Sequence, residues 1–311
     1  MTAALSKPSK LTICTAAYSA IKAPCFALRA RGSNTPLLQQ ATRVHLLQLQ
    51  LPGYGVSTLP PPGQHTKRAV GGAILEALTS IFNIPLNSNS NSDSSARNVL
   101  LIGHDRGARI AHRLAVDDAG PPHLKLTSLI LMDIVPTKVQ WEAFSNPRAG
   151  AAYFHWPFLA NIDLATQMID AYGGDKWCRD LLIRGQGSSV EGQTSFAASG
   201  AHDVYAANFA KRDAILGSCE DYQCGSALEV DEQAEDMERG RKINVPTLVI
   251  FSEKYLGRMH DVACVWQDWV AEGVPYQARA IGGGKGHYLP EEDPEQIGDL
   301  VLQWVKTGSI Q

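Results

Sequence analysis

The chain has no aspartate or glutamate before Glu76, although Lys7, Lys10, Lys22, Arg29 and Arg31 fall in that stretch. An acid-poor start containing Ser and Ala is compatible with an organelle transit peptide, and the lack of a firm apolar segment argues against a secretory signal. The simpler expectation is an atypical, irregular N-terminal segment over residues 1–35. No apolar run approaches the ~20 residues that a membrane helix needs, so no membrane partner is expected. Neither sign of charge dominates, with 28 basic against 31 acidic residues, which leaves nothing to hold nucleic acid or an anionic surface. The six cysteines, at positions 14, 25, 178, 219, 224 and 264, form no CxxC pair and no zinc spacing. They read as reduced thiols of a cytoplasmic protein. There is no G-x-S-x-G, no phosphate-binding loop and no cluster of metal ligands. A serine esterase is therefore disfavoured, and neither metal nor cofactor is expected.

What is present is ample apolar material: 311 residues, 44% of them hydrophobic, enough for one large domain or a core with an inserted subdomain. Val44–Leu49 predicts a strand that ends in the turn Pro52-Gly53-Tyr54-Gly55. Val70, Ile74, Ala77, Leu78 and Ile81 recur at helical spacing. The polar, low-complexity stretch Asn87–Ser95 reads as a solvated loop. Buried strands follow at Val99–Ile102, Ser128–Met132, Thr247–Phe251 and Tyr276–Ile281. Between the first two of these runs, Ala108, Ala111, Leu114 and Ala115 mark the inner face of a helix. Ile297, Leu300, Val301 and Trp304 predict a closing amphipathic helix. Strands alternating with helices imply a mostly parallel, helix-flanked sheet. From about 137 to 240 the strand runs vanish, and short helical stretches carry Trp141, Phe144, Tyr153, Phe154, Trp156 and Phe158. This predicts a helical cap over 137–240, inserted into a core formed by 36–136 and 241–311.

Gly103-His104-Asp105-Arg106-Gly107 stands directly behind the Val99–Ile102 strand. It has the G-x-nucleophile-x-G layout of a nucleophile elbow, in which glycines let the chain turn sharply and lift the middle side chain above the sheet. Here that side chain is Asp105. A carboxylate can displace a leaving group at saturated carbon and form an ester with the protein. The N–H of Arg106 can face a developing oxyanion, and the helix N-terminus favours an ionised carboxylate. Asp133 ends the Ser128–Met132 strand, at the edge where sites gather in open α/β sheets. His287 stands in the loop Gly282-Gly283-Gly284-Lys285-Gly286-His287-Tyr288. In the order nucleophile, acid, base, Asp133 would orient the imidazole and His287 would take a proton from the water that attacks the ester.

With GHDRGARIAHR, LILMDIVPT, HWPFLA, CEDY and GHYLPEE in this order, the sequence from about Leu46 to the C-terminus resembles the haloacid-processing α/β hydrolases. That branch is typified by fluoroacetate dehalogenase and is closely related to the epoxide hydrolases. The resemblance implies an α/β-hydrolase fold. It also implies an aspartate nucleophile at Asp105 with His287 and Asp133 as base and partner. Arg106 and Arg109 match the pair that holds the substrate carboxylate, a role suited to guanidinium forks three residues apart at a helix start. His155, Trp156 and Tyr222 match the cap donors that stabilise the departing halide, each through an N–H or O–H. Epoxide hydrolases usually place two tyrosines in the cap; the His155-Trp156 pair in place of the first favours a haloacid. A homodimer is a further implication.

The first part of the core departs from the family. The usual His-Gly-aromatic-Pro loop, which supplies the second oxyanion N–H, is not found ahead of the Val44–Leu49 strand. Gln50-Leu51-Pro52-Gly53-Tyr54-Gly55 stands where an acidic-Leu-Arg-Gly-Tyr-Gly stretch is usual. The N-terminal core is thus expected to be shortened, and losing one oxyanion donor costs ~10²–10³ in rate. The leading expectation is a hydrolase acting on a small 2-haloacid such as haloacetate. The alternatives are an epoxide hydrolase, a hydrolase of a larger metabolite, and a catalytically impaired relative that binds without turnover.

Overall fold

The apolar runs of the sequence are neighbours in one sheet. The structure, a computed structural model, describes residues 10–16, 45–55, 57–81, 97–118, 124–198 and 200–310. Its strands are β1 (Lys10–Ala16), β2 (His45–Gln48), β3 (Arg97–His104), β4 (Leu124–Met132), β5 (Thr247–Ser252) and β6 (Tyr276–Ile281). They lie in the order β2-β1-β3-β4-β5-β6, and every adjacent pair is parallel.

Successive side chains of a strand point to opposite faces. Val99, Leu101, Leu129, Leu131 and Val249 accordingly share one apolar cluster, whereas Leu100, Ile102, Ile130, Met132, Leu248 and Ile250 share the other. Both faces are covered, so the central strands carry continuous apolar runs, Val99–Ile102, Leu129–Met132 and Leu248–Phe251, rather than alternating ones. The first face is roofed by α1 (Lys67–Ile81), α2 (Arg106–Asp117) and the later helix Val262–Trp269, whose Trp266 donates its indole N–H to the Ile134 carbonyl at 2.8 Å. His112 packs edge-on between Trp266 and Trp269, and burial lowers its pKa to about 3, so it sits there neutral. The second face is closed by the C-terminal helix Pro294–Thr307 through Ile297, Leu300, Val301 and Trp304.

The chain between β4 and β5 is helical: α3 (Thr137–Glu142), α4 (Pro147–Ala152), α5 (His155–Leu159), α6 (Ile162–Tyr172), α7 (Gly174–Gly185), α8 (Val190–Ala198), α9 (Ala201–Phe209), α10 (Arg212–Ser226) and α11 (Leu228–Glu238). These helices occupy the stretch where a cap is expected, and they bury an aromatic-rich cluster of their own around Trp156, Phe196, Phe209 and Tyr222. Behind β5 come α12 (Val262–Trp269), α13 (Leu289–Glu292) and α14 (Pro294–Thr307).

The N-terminal segment differs from expectation. Lys10–Ala16, read as part of an irregular leader, is a strand inside the sheet, flanked by β2 and β3. Its Leu11 and Ile13 alternate with Thr12, Cys14 and Thr15, a weak apolar signal. What makes it a strand is pairing with distant partners: Leu11 opposes both His45 and Val99. The Asn87–Ser95 stretch and residues 17–44 lie outside the described residues. Cys178, Cys219, Cys224 and Cys264 are free thiols. Among the described residues, no helix is long and apolar enough to cross a membrane, and no group of side chains could hold a metal ion.

A tight steric constraint sits where β3 meets α2. A Cβ on Gly103 would lie 2.5 Å from the Ala108 backbone N and Cα, which cannot move aside. Gly103→Ala is expected to destabilise the protein by about 3 kcal/mol, the upper range for overpacking. This would be read as a lower urea midpoint at unchanged slope.

Candidate active site

Asp105 stands between the end of β3 and the start of α2 with φ 48° and ψ −117°, a conformation that side-chain-bearing residues rarely adopt. The elbow is held by two backbone bonds: Asp105 N–H to the Met132 carbonyl at 3.2 Å, and Arg109 N–H to the Asp105 carbonyl at 3.1 Å. Arg106 opens α2, so its own N–H has no intrahelical acceptor. Asp105 is 4% exposed, and its Oδ2 has no hydrogen-bond partner among the described residues. The nearest charge is His287, whose Nε2 lies 3.6 Å from that oxygen.

Asp133 follows β4, also at positive φ (50°), with its N–H bonded to the Ile250 carbonyl at 2.8 Å. One carboxylate oxygen accepts from the Ser252 N–H (2.7 Å) and hydroxyl (2.6 Å) at the end of β5; the other lies 2.7 Å from His287 Nδ1. Asp105, Asp133 and His287 are thus brought together at the C-terminal edge of the sheet from three strand ends. Burial opposes protonation of His287, yet the Asp105 and Asp133 carboxylates raise its pKa to about 9. Burial would raise the pKa of Asp105, but the cationic imidazole and Arg106 hold it well below the usual carboxylate range.

The loop carrying His287 is bonded to the helical insertion. The His287 N–H donates to the Gly185 carbonyl at 2.8 Å, and the Ser189 N–H donates to the Gly284 carbonyl at 3.1 Å. The backbones meet so closely that a Cβ on Gly187 would lie 2.0 Å from the Gly284 oxygen. Glu292, 1% exposed, accepts the N–H groups of Gly187 (3.0 Å) and Gly286 (2.8 Å) on one oxygen and that of Tyr288 (3.2 Å) on the other. It ties the insertion and the histidine loop to α13.

Asp105, Asp133 and His287 line a cavity of about 520 Å³ between the sheet edge and the insertion. Arg109, His155, Trp156 and Tyr222 line it as well. Arg109 is 4% exposed, donates to the Val135 carbonyl (3.0 Å) and the Thr137 hydroxyl (3.2 Å), and lies 4.5 Å from the centre of the Trp156 ring. Its Nε has no partner, and no carboxylate pairs with it among the described residues. Burial and then the charge of Arg106 lower its pKa to about 10, so it remains cationic at neutral pH. His155 is held neutral, with burial lowering its pKa to about 3; burial raises Tyr222, which stays a phenol.

Arg106 is placed differently. It does not line the cavity. Its Nε donates to Asp221 Oδ2 at 2.6 Å and a terminal nitrogen to the Asp221 carbonyl at 3.3 Å, with the Tyr222 ring 4.3 Å away. Asp221 also accepts from Tyr54 (2.8 Å) and Lys67, and Lys67 continues to Glu229 at 3.0 Å. Asp221, Ser252 and Glu292 escape sequence reasoning. Two of them stand inside quoted motifs, CEDY and GHYLPEE, where a buried acid beside a site residue is a usable signal. Ser252 carries none. A loop supplying a second oxyanion donor would follow an early strand; the chain after β1 begins at Ala17, outside the described residues.

A model of the alpha/beta hydrolase family matches residues 23–300. Among curated proteins, a fluoroacetate dehalogenase from Burkholderia sp. is 26% identical over 205 residues, covering 66% of this chain and 62% of the relative's own length. Among solved structures, a chain from Nostoc sp. PCC 7120 provisionally assigned as an alpha/beta hydrolase superposes with TM-score 0.74 at 26% identity, over 96% of this chain and 91% of that one. One from Pseudomonas aeruginosa, provisionally assigned as an epoxide hydrolase, gives 0.73 at 21% identity, over 97% and 90%; at that identity the likeness speaks for the fold alone.

Glu292→Gln replaces one acceptor oxygen by an NH₂ group and leaves at least one buried N–H unpaired. It is expected to cost about 2 kcal/mol and to speed amide exchange at Gly187, Gly286 or Tyr288. Unchanged exchange at all three amides would refute the clamp.

Proposed function

The chain belongs to the alpha/beta hydrolase family, and on that premise we propose that it is a hydrolase working through an ester on Asp105, with a small 2-haloacid such as a haloacetate as substrate. One observation carries this reading: Asp105, in a strained elbow with an unpartnered oxygen, shares its cavity with Arg109, a buried cation that no acid pairs among the described residues. A buried unpaired charge is costly unless a partner arrives. The carboxylate of a 2-haloacid would supply it, and would hold C2 beside the nucleophile. Arg106, engaged by Asp221, supports the site from behind.

In the first step an Asp105 oxygen forms a bond to C2 as the carbon–halogen bond breaks, and the halide leaves with the electron pair. His155, Trp156 and Tyr222 line the cavity as donors for it: a neutral imidazole, an indole N–H and a phenol. In the second step water adds to the ester carbonyl of Asp105, His287 takes its proton, and the Arg106 N–H faces the oxyanion. Collapse releases a 2-hydroxyacid and regenerates the carboxylate. The electrostatics support this order. The resting imidazole, between two carboxylates, holds a proton. Esterification removes the charge of Asp105, so the pKa of His287 falls and it becomes a base only once an ester exists to hydrolyse.

The rate of ester formation should be flat from about pH 5 to about 9, because Asp105 stays ionised throughout. Ester hydrolysis should rise with pH, with a midpoint below the resting value of about 9. Rapid-quench measurements separate the two steps. A flat second step would remove His287 as base. In a single turnover in ¹⁸O-water, the label should enter Asp105 and not the product. His287→Asn should accumulate the adduct, detectable as a mass gain on the Asp105 peptide.

A second reading has one observation in its favour: Tyr153 lines the cavity together with Tyr222, a tyrosine pair suited to protonating an epoxide oxygen. Arg109→Gln tells the two apart. It should lower kcat/KM for chloroacetate roughly a hundredfold and change turnover of a neutral epoxide far less.

A further inference from the structure

The cavity is larger and more cationic than a haloacetate needs. At roughly 30 Å³ per heavy atom, the share of a liquid water, the five heavy atoms of a haloacetate fill about 150 Å³, under a third of the 520 Å³ present. The carboxylate of such a substrate is met by Arg109 alone, under Trp156. Three more cations line the same cavity: Arg184 near the end of α7, and Lys254 and Arg258 in the segment after β5. None of the three forms an ion pair among the described residues, whereas Lys285, also in the lining, reaches Asp293 at 3.8 Å and the Glu292 carbonyl at 3.2 Å. Among the described residues, the only acids of the lining are Asp105 and Asp133, and both face His287. Arg184 is braced 5.1 Å from the centre of the Phe154 ring. Arg184 and Arg258 share this lining with Tyr255. A concave surface with this excess of one sign concentrates ligands of the other. Guanidinium forks favour planar anions that accept two hydrogen bonds.

We infer that the cavity takes a 2-haloacid bearing a second acid group, with its reacting carboxylate on Arg109 and its far acid group at Arg184 and Arg258. This rests on the proposed reaction and names its substrate class. The chemistry is unchanged: Asp105 displaces the halide at C2, water hydrolyses the ester, and a 2-hydroxy diacid leaves. The extra volume holds the carbons between the two acid groups.

The test separates binding from turnover. Calorimetric titration of the whole protein with unreactive succinate, glutarate, phosphonoacetate and propionate reads binding alone. Steady-state kinetics with 2-chlorosuccinate and 2-chloropropionate read the reaction. At least one diacid should bind about tenfold more tightly than propionate. That ratio should collapse in Arg184→Gln and Arg258→Gln and persist in Arg179→Gln, whose cation pairs with Asp203 outside the cavity. In the kinetics, the collapse should appear as a rise in KM for 2-chlorosuccinate with kcat largely kept. Phosphonoacetate binding more tightly than either dicarboxylate would support the inference with a phosphoryl group as the far acid. Wild-type protein that binds every diacid no better than propionate would overturn it, as would a diacid preference indifferent to both arginines. A diacid preference that depends on these arginines, with no turnover of either chloroacid and no mass gain on Asp105, would instead overturn the reaction and leave the binding inference standing.

Discussion

Two buried carboxylates address one imidazole, and much of the surrounding structure is arranged around that fact. Asp133 bonds His287 at 2.7 Å, and Asp105 faces the other ring nitrogen at 3.6 Å. Three ionisable groups removed from water would be unstable if any were left without a counterpart. Asp133 is therefore saturated on its far oxygen by Ser252, and the ring is held by backbone bonds on both sides of residue 287: its N–H to Gly185, its carbonyl to His104 Nε2 at 2.8 Å. Among the described residues, the Asp105 oxygen nearest the imidazole is left without a hydrogen-bond partner. The positive φ of Asp105 and of Asp133 has the same origin: each must turn its side chain over the sheet edge immediately after a buried strand.

Beside this centre lies a second set of buried charges with a different role. Arg106, Asp221, Lys67, Glu229 and Tyr54 satisfy one another across the seam between the helical insertion and the sheet layer. Arg113 adds a further link by pairing with Asp236 of α11. Arg106, Arg109 and Arg113 recur three and four residues apart, so they share one face of α2. Of these, Arg106 and Arg113 are paired to acids of the insertion, while Arg109 meets only neutral acceptors among the described residues. The same helical stripe thus supplies both the fastening of the insertion and a buried cation of the cavity.

The central strands, the elbow and the order of Asp105, Asp133 and His287 were legible in the residues. Strands covered on both faces must be continuously apolar, and a sharp strand-to-helix turn needs glycine where the helix presses on the strand. β1 was not legible. Its Leu11 and Ile13 are too few to signal a strand without β2 and β3 beside them, and the expectation of an irregular leader failed there. The two arginines look alike in sequence, three residues apart at one helix start. Only the fold sets Asp221 against the first and leaves the second facing the cavity.

Sequence alone therefore determined which chemical groups stand at the ends of which strands, because periodicity and turn chemistry act over a few residues. Tertiary structure alone decided which charges are paired, where His287 points, and that Glu292 and Gly187 close on the histidine loop. The bonds Gly187–Glu292, Arg106–Asp221 and Asp133–His287 each join residues more than 100 positions apart. Pairing over such separations depends on how layers pack, and no local pattern encodes it.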